Sequence, residues 1–124
     1  MQNYRQLFDL TGKTAVVLGA SSGIGQASAH ALGSLGAHVV CADRDTEGAQ
    51  ATAEQITQHG AGSAEWQTTD AASGADIAAL TAHTLAVRGR IDIAVAVPAL
   101  NIRNLIIDYT DDEFDQVVNL NLKG

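Results

Sequence analysis

The sequence predicts an α/β domain in which a parallel sheet ordered 3-2-1-4 is covered by helices on both faces, a three-layer αβα arrangement. Three observations carry this. Thr14 to Leu18 (TAVVL), Ala37 to Ala42 (AHVVCA) and Ile91 to Val97 (IDIAVAV) are short and almost wholly apolar, the pattern of strands buried on both faces. Between such runs the apolar period changes to that of a helix, and glycines punctuate the changes. The chain of 124 residues is 46% apolar, enough for one domain with a real core over residues 1–124 and too little for a second.

Taken in order, strand one is Thr14 to Leu18 and is followed directly by a glycine-rich turn. A helix from Ile24 to Leu35 comes next, with Ile24, Ala27, Ala31, Leu32 and Leu35 expected on its buried face and Gly36 as its stop. Ala37 to Ala42 is strand two. Asp45 to His59 reads as a helix with Ala49, Ala53 and Ile56 aligned, and Gly60 and Gly62 mark the return. Ala64 to Thr69 alternates, as an edge strand does. Ser73 and Asp76 have capping-box spacing ahead of a helix carrying Ile77, Leu80, Thr84 and Val87. Gly89 leads into strand four, Ile91 to Val97. Thr110 and Glu113 form a second capping box, opening a helix whose apolar face runs through Phe114, Val117 and Val118 and reaches Asn121. The expected domain is truncated after strand four, inside this last helix.

Charge and composition narrow the function. Seven basic against fourteen acidic residues give a net charge of -7, which opposes nonspecific attraction to nucleic acid and to anionic membranes. Trp66, Tyr4 and Tyr109 give no aromatic platform beside basic residues for binding single strands. No apolar stretch approaches the ~20 residues of a membrane span, and Met1 to Leu10 lacks the apolar core of a signal. Cys41 is the single cysteine, so a reducing, cytoplasmic setting is expected. His30, His38, His59 and His83 are scattered without zinc-ligand spacing, and no metal is expected. The acidic run Asp111-Asp112-Glu113 reads as the first turn of a helix.

The chemistry concentrates between strand one and the first helix, in Gly19-Ala20-Ser21-Ser22-Gly23-Ile24-Gly25. Glycine serves three purposes in such a turn: it permits the tight bend, lets the backbone approach a pyrophosphate, and lets the helix pack close to the sheet. The helix N-terminus then offers free N–H groups and partial positive charge to the anion, and Ser21 and Ser22 add hydroxyl donors. Asp43 ends strand two, near the ~20-residue spacing of the acid that binds an adenosine ribose. A carboxylate there accepts hydrogen bonds from a 2'-hydroxyl and repels a 2'-phosphate, which favours NAD over NADP. Arg44 beside it can pair with a phosphate, although a solvated surface charge is the simpler reading.

Gly19-x-x-x-Gly23-x-Gly25 resembles the signature of the short-chain dehydrogenase/reductase family, whose nucleotide-binding domain is of the Rossmann type. Phe8-Asp9-Leu10-Thr11-Gly12-Lys13 is similar to the family's lead into strand one, and Asp70, with Ala71 after it, matches the acid that meets the adenine. Asn121-Leu122-Lys123-Gly124 matches the Asn-Leu-x-Gly run whose Asn belongs to the catalytic tetrad. The resemblance implies a cofactor set of Gly19, Ser21, Ser22, Gly23, Ile24, Gly25, Asp43, Arg44, Asp70 and Ala71, with Asn121 as the one tetrad member. It spans the first half of a family domain. Leu18 stands where the family has Thr, and Ala96-Val97-Pro98-Ala99 stands where it has Asn-Asn-Ala-Gly, removing side-chain hydrogen bonds and, at Pro98, a backbone donor.

The family's Ser and Tyr-x-x-x-Lys have no counterpart in these residues: four positions after Tyr4 is Phe8, and four after Tyr109 is Glu113. That pair supplies the proton at the carbonyl oxygen, the Lys lowering the Tyr pKa. Three readings stay open at this point: a cofactor-binding module without turnover, one piece of a longer or split oxidoreductase, and an interaction protein with a vestigial loop. An apolar strand four left as a sheet edge predicts a homo-oligomer or a complementary fragment docked through that strand and the last helix.

Overall fold

The computed structural model describes residues 3–100 and 102–123. Four strands, β1 (Thr14–Leu18), β2 (His38–Asp43), β3 (Ser63–Thr68) and β4 (Ile93–Ala96), form one parallel sheet in the order β3-β2-β1-β4. Thr14 pairs with His38 and Leu18 with Ala42, while Ala15 to Leu18 pair with Ile93 to Ala96 on the other side. The expected order and parallel sense are those observed. Four helices alternate with or follow the strands: α1 (Gly23–Ser34), α2 (Thr46–His59), α3 (Gly74–Arg88) and α4 (Asp111–Val118).

Side-chain alternation divides the core between the two faces of the sheet. Ala15, Val17, Val39 and Cys41 point to one face, where Ala29 of α1 and Ala49, Ala53 and Ile56 of α2 cover them. Val16, Val40 and Ala42 point to the other, where Leu80 of α3 covers them. Residues of both central strands are therefore buried twice over, which is why β1 and β2 read as unbroken apolar runs. Burial drives the Cys41 thiol up to about 12, so it behaves as a small apolar side chain.

The packing of α1 differs from expectation. Its buried residues are Gly25, Ala29 and Gly33, and Leu32 is half-buried. Ile24, Ala27, Ala31 and Leu35, expected inside, are exposed. The helix lies so close to its neighbours that a Cβ on Gly33 would stand 2.4 Å from Ile56 Cγ2 and one on Gly25 1.9 Å from the Gly19 carbonyl oxygen. Size, not hydrophobicity, selects the inward residues here. Val87 of α3 is likewise exposed while Leu80 and Thr84 are buried.

Strand four is shorter than the apolar run that announced it. Asp92 leaves the strand because its carboxylate accepts the Thr14 N–H at 2.8 Å while its own N–H donates to the Thr14 carbonyl at 2.9 Å. Beyond β4, Thr110 and Glu113 make a complete capping box, and α4 passes at Asn119 into a wider π turn, Asn119–Lys123. Gly124, the last residue of the Asn-Leu-x-Gly run, lies outside the described residues, as does Met1 of the N-terminal stretch.

Candidate functional site

A cleft of about 460 Å³ opens at the C-terminal ends of the strands. Leu18 and Gly19 at the end of β1 face Val97 and Pro98 at the end of β4 across the point where the strand order reverses, the place where open parallel sheets hold ligands. Ser21, Ser22, Asp43, Arg44, Asp70 and Ala71 complete the wall that the sequence anticipated.

The glycine loop is held by main chain. The Gly19 and Ala20 N–H groups both donate to the Ala42 carbonyl, at 2.8 and 3.3 Å. Gly19 has φ +86 and Gly23 φ +57, conformations that side chains disfavour. Gly25 is the close-packing glycine, lying against the Gly19 backbone and away from the cleft. Gly23 and Ile24 form the first turn of α1 outside the cleft lining, and Ile24, with its side chain 75% exposed, is placed to meet an anion only through its N–H.

The start of α1 differs from the other helix starts. Asp45 accepts the Gly48 N–H for α2, Ser73 accepts the Asp76 N–H for α3, and Thr110 accepts the Glu113 N–H for α4. Ser22, the N-cap of α1, makes no side-chain bond to the first turn. The donors of that turn are left without the side-chain partner that the others have, as an anion site requires.

Asp43 is oriented from two sides: Oδ2 accepts the Ser21 N–H at 3.0 Å and Oδ1 the Asp45 N–H at 3.0 Å. Partial burial pushes the Asp43 carboxyl up, but hydrogen bonds from Asp45, Ser21 and Arg44 outweigh it and hold the group below its usual value. The carboxylate stays ionised, with lone pairs to spare toward the cleft. Asp70 turns the chain after β3, its Oδ1 accepting the Ala72 N–H at 2.9 Å and its own N–H donating to Asp76. Asp76 thus takes part in the Ser73 cap, donating its N–H to Ser73 Oγ and accepting that hydroxyl at Oδ1, while Oδ2 accepts the Asp70 N–H in place of the Ser73 N–H of a full capping box.

Asn121 does not line the cleft, but it braces it. Its side-chain amide accepts the Leu100 N–H at 2.7 Å and donates to the Leu100 carbonyl at 2.8 Å, tying the π turn to the cleft wall through Leu100 and Leu120. Sequence reasoning missed Thr69, Ala72, Leu100 and Leu120 as lining residues. The available signal was positional, since the residues just past β3 and β4 belong to the strand ends where such clefts form. It also treated the histidines as scattered, whereas His38 Nε2 and His83 Nε2 both approach Glu65, at 3.5 and 2.8 Å, on the β2–β3 side of the sheet. Among the described residues no group of three His, Cys, Asp or Glu side chains is placed to hold a metal ion.

The fold and its cleft define a Rossmann-type α/β protein with a loop suited to a phosphate. Residues 13–124 match the short chain dehydrogenase family, and the chain belongs to it. It is 32% identical over its whole length to a short chain dehydrogenase/reductase, astE, of Aspergillus oryzae, of which it covers 48%. It is 36% identical over 93% of its length to an uncharacterized oxidoreductase of Staphylococcus aureus, again covering 48% of that protein. Among solved structures, a metagenomic short-chain oxidoreductase in complex with NADP superposes with a TM-score of 0.87 at 39% identity, covering 93% of this chain and 52% of that one. A hydroxysteroid dehydrogenase from Escherichia coli gives a TM-score of 0.87 at 28% identity, covering 98% of this chain and 50% of that one. The chain thus spans about half the length of the curated relatives it matches.

Proposed function

We propose that these 124 residues are the dinucleotide-holding half of a short-chain oxidoreductase, with NAD preferred over NADP and no turnover by this chain alone. The observation that carries the reading is the convergence of the glycine loop, the open first turn of α1 and the ionised Asp43 on one cleft. The residues fit the group: a Cβ on Gly19 would intrude at 3.3 Å from Pro98 Cδ, closing the approach that a pyrophosphate needs. In this reading the loop and the α1 N–H groups hold the pyrophosphate, Asp43 accepts the ribose hydroxyls, and Asp70 with Ala71 borders the adenine. Asn121 keeps the far wall in place. A bound nicotinamide supplies hydride exchange between an alcohol and a carbonyl. The proton for that exchange needs a Tyr-Lys pair, which these residues do not include.

In this reading NAD is preferred because the Asp43 carboxylate at the cleft would repel a 2'-phosphate, and Arg44, although it lines the cleft, is one cation against an anion held by the Ser21 N–H. Calorimetric titration with NAD and then NADP tests this: saturable NAD binding with weaker NADP is expected, and a folded sample that binds neither refutes it. A buried, unreactive Cys41 and the absence of a helix long and apolar enough to cross a membrane among the described residues support a cytoplasmic setting.

A second reading rests on a separate observation. Leu105, Ile106, Ile107, Phe114 and Leu122 are exposed large apolar side chains beyond β4. Self-association, or docking of a complementary segment along β4 and α4, would cover them. Light scattering across a concentration series distinguishes this from a monomer.

A further inference from the structure

The sequence places a threonine, Thr52, on the small-residue face of α2, and the fold buries it completely. Its hydroxyl reaches out of the helix. Thr52 Oγ1 lies 2.9 Å from the Ala20 carbonyl oxygen and 3.0 Å from that of Gly48, and it accepts the Gln26 side-chain N–H at 3.1 Å. One hydroxyl thereby joins α1, α2 and the glycine loop.

The partner of Thr52 in the loop is one end of a single peptide unit. The carbonyl of Ala20 receives the hydroxyl, and the N–H of the same unit, belonging to Ser21, donates to Asp43. A peptide is planar, so fixing both ends fixes the direction in which the loop presents its following groups. Contact reinforces the hydrogen bond, because a Cβ on Gly48 would stand 2.6 Å from the Ser21 Cβ. The first turn of α2 therefore backs the loop with no side chain between them.

We infer that Thr52 is a positioning residue of the phosphate-binding loop, clamping the Ala20–Ser21 peptide from behind while Asp43 clamps it from the cleft side. This rests on the dinucleotide reading of the cleft and assigns α2, which contributes no residue to the cleft lining, a part in holding the pyrophosphate. The Thr52 end of the clamp is buried and the Asp43 end half-buried, and both bonds are made within the chain itself, so the loop is set before any ligand arrives and binding does not have to order it.

The test compares Thr52→Val, which keeps the shape and removes the hydroxyl, with Thr52→Ser, which keeps the hydroxyl. Titration with ADP and with adenosine separates the pyrophosphate from the nucleoside. Thr52→Val should lose about tenfold in ADP affinity and less than twofold in adenosine affinity, and Thr52→Ser should restore ADP binding. Equal losses for both ligands, or no loss of ADP, overturn the proposal. Gly48→Ala, which pushes on Ser21 from the same side, should reproduce the ADP loss if Thr52→Val does not fold, and unchanged ADP binding there counts against the clamp. Amide exchange without ligand gives an independent readout: the Ser21 amide should exchange faster in Thr52→Val while the β1–β2 ladder amides do not. An unchanged Ser21 rate overturns the clamp. A wild-type chain that binds neither ligand overturns the dinucleotide reading, and the exchange rates then decide whether the clamp stands without it.

Discussion

The two ends of this chain are built differently. Every buried residue among those described lies at or before Thr84; from Leu85 to Lys123 none is buried. The earlier region holds β1 to β3, the glycine loop and both layers of core, and α1 is seated directly against the glycine-loop backbone and Ile56 of α2. The later region holds β4, the wall from Val97 to Leu100 and α4, and it shows large apolar side chains to the surface. One cleft is thus lined by a rigid wall on the β1–β2 side and a thinly supported one on the β4 side. The relatives this chain matches are about twice as long.

This contrast gives predictions of decreasing size. Gly25→Ala sets a Cβ 1.9 Å from the Gly19 carbonyl oxygen, where only backbone movement can relieve it, and should cost about 3 kcal/mol or more of stability. Urea unfolding followed by Trp66 fluorescence measures this, and a loss below about 1 kcal/mol would mean the two regions do not differ in rigidity as described.

Asp43→Ala removes hydrogen bonds to a charged group and should weaken NAD about tenfold or more while relaxing discrimination against NADP. An unchanged preference between the two cofactors would remove the ribose assignment. The sign of the pH dependence follows from the lowered carboxyl. The folded value lies below the unfolded one, so the stability from Asp43 is complete above the ordinary carboxylate pKa of about 3.9 and is lost as pH falls through the folded value. NAD affinity should accordingly stay flat between about pH 7 and pH 5; a titration that shows weakening in that window would assign recognition to some other group.

The smallest effect is expected in the later region. Phe114 is 61% exposed, and Phe114→Ala should change stability by no more than about 0.5 kcal/mol. The same substitution should reduce any self-association seen by light scattering. A large loss of stability would show that this face is packed in solution and would erase the contrast.

The sequence made the sheet legible because residues of β1 and β2 are buried on both faces, leaving polar residues only at the strand ends, at Thr14, His38 and Asp43. Among the cleft-lining residues, Gly19 and Asp43 stood out in the sequence because a tight turn demands glycine and a carboxylate at the end of a strand is conspicuous. The inward face of α1 did not, because periodicity ranks Ile24 and Leu35 above Gly25 and Gly33, whereas a helix pressed against the Gly19 backbone and the Ile56 side chain admits only the smallest residues there. Thr52 escaped for a related reason: a threonine on a helix face gives no sign that its hydroxyl bonds a loop distant in sequence. The bounds of β4 slipped at Asp92, whose side chain replaces a ladder partner.

The close seating of α1 on Gly25, Ala29 and Gly33 has a further consequence. At Gly25 the helix rests on the Gly19 backbone with no side chain of its own between them, so the spacing between helix and loop works as a fixed gauge. In the proposed dinucleotide reading, substitutions at Asp43, Arg44 or the residues after β3 would alter which nucleotide is admitted without moving the loop assigned to its phosphates.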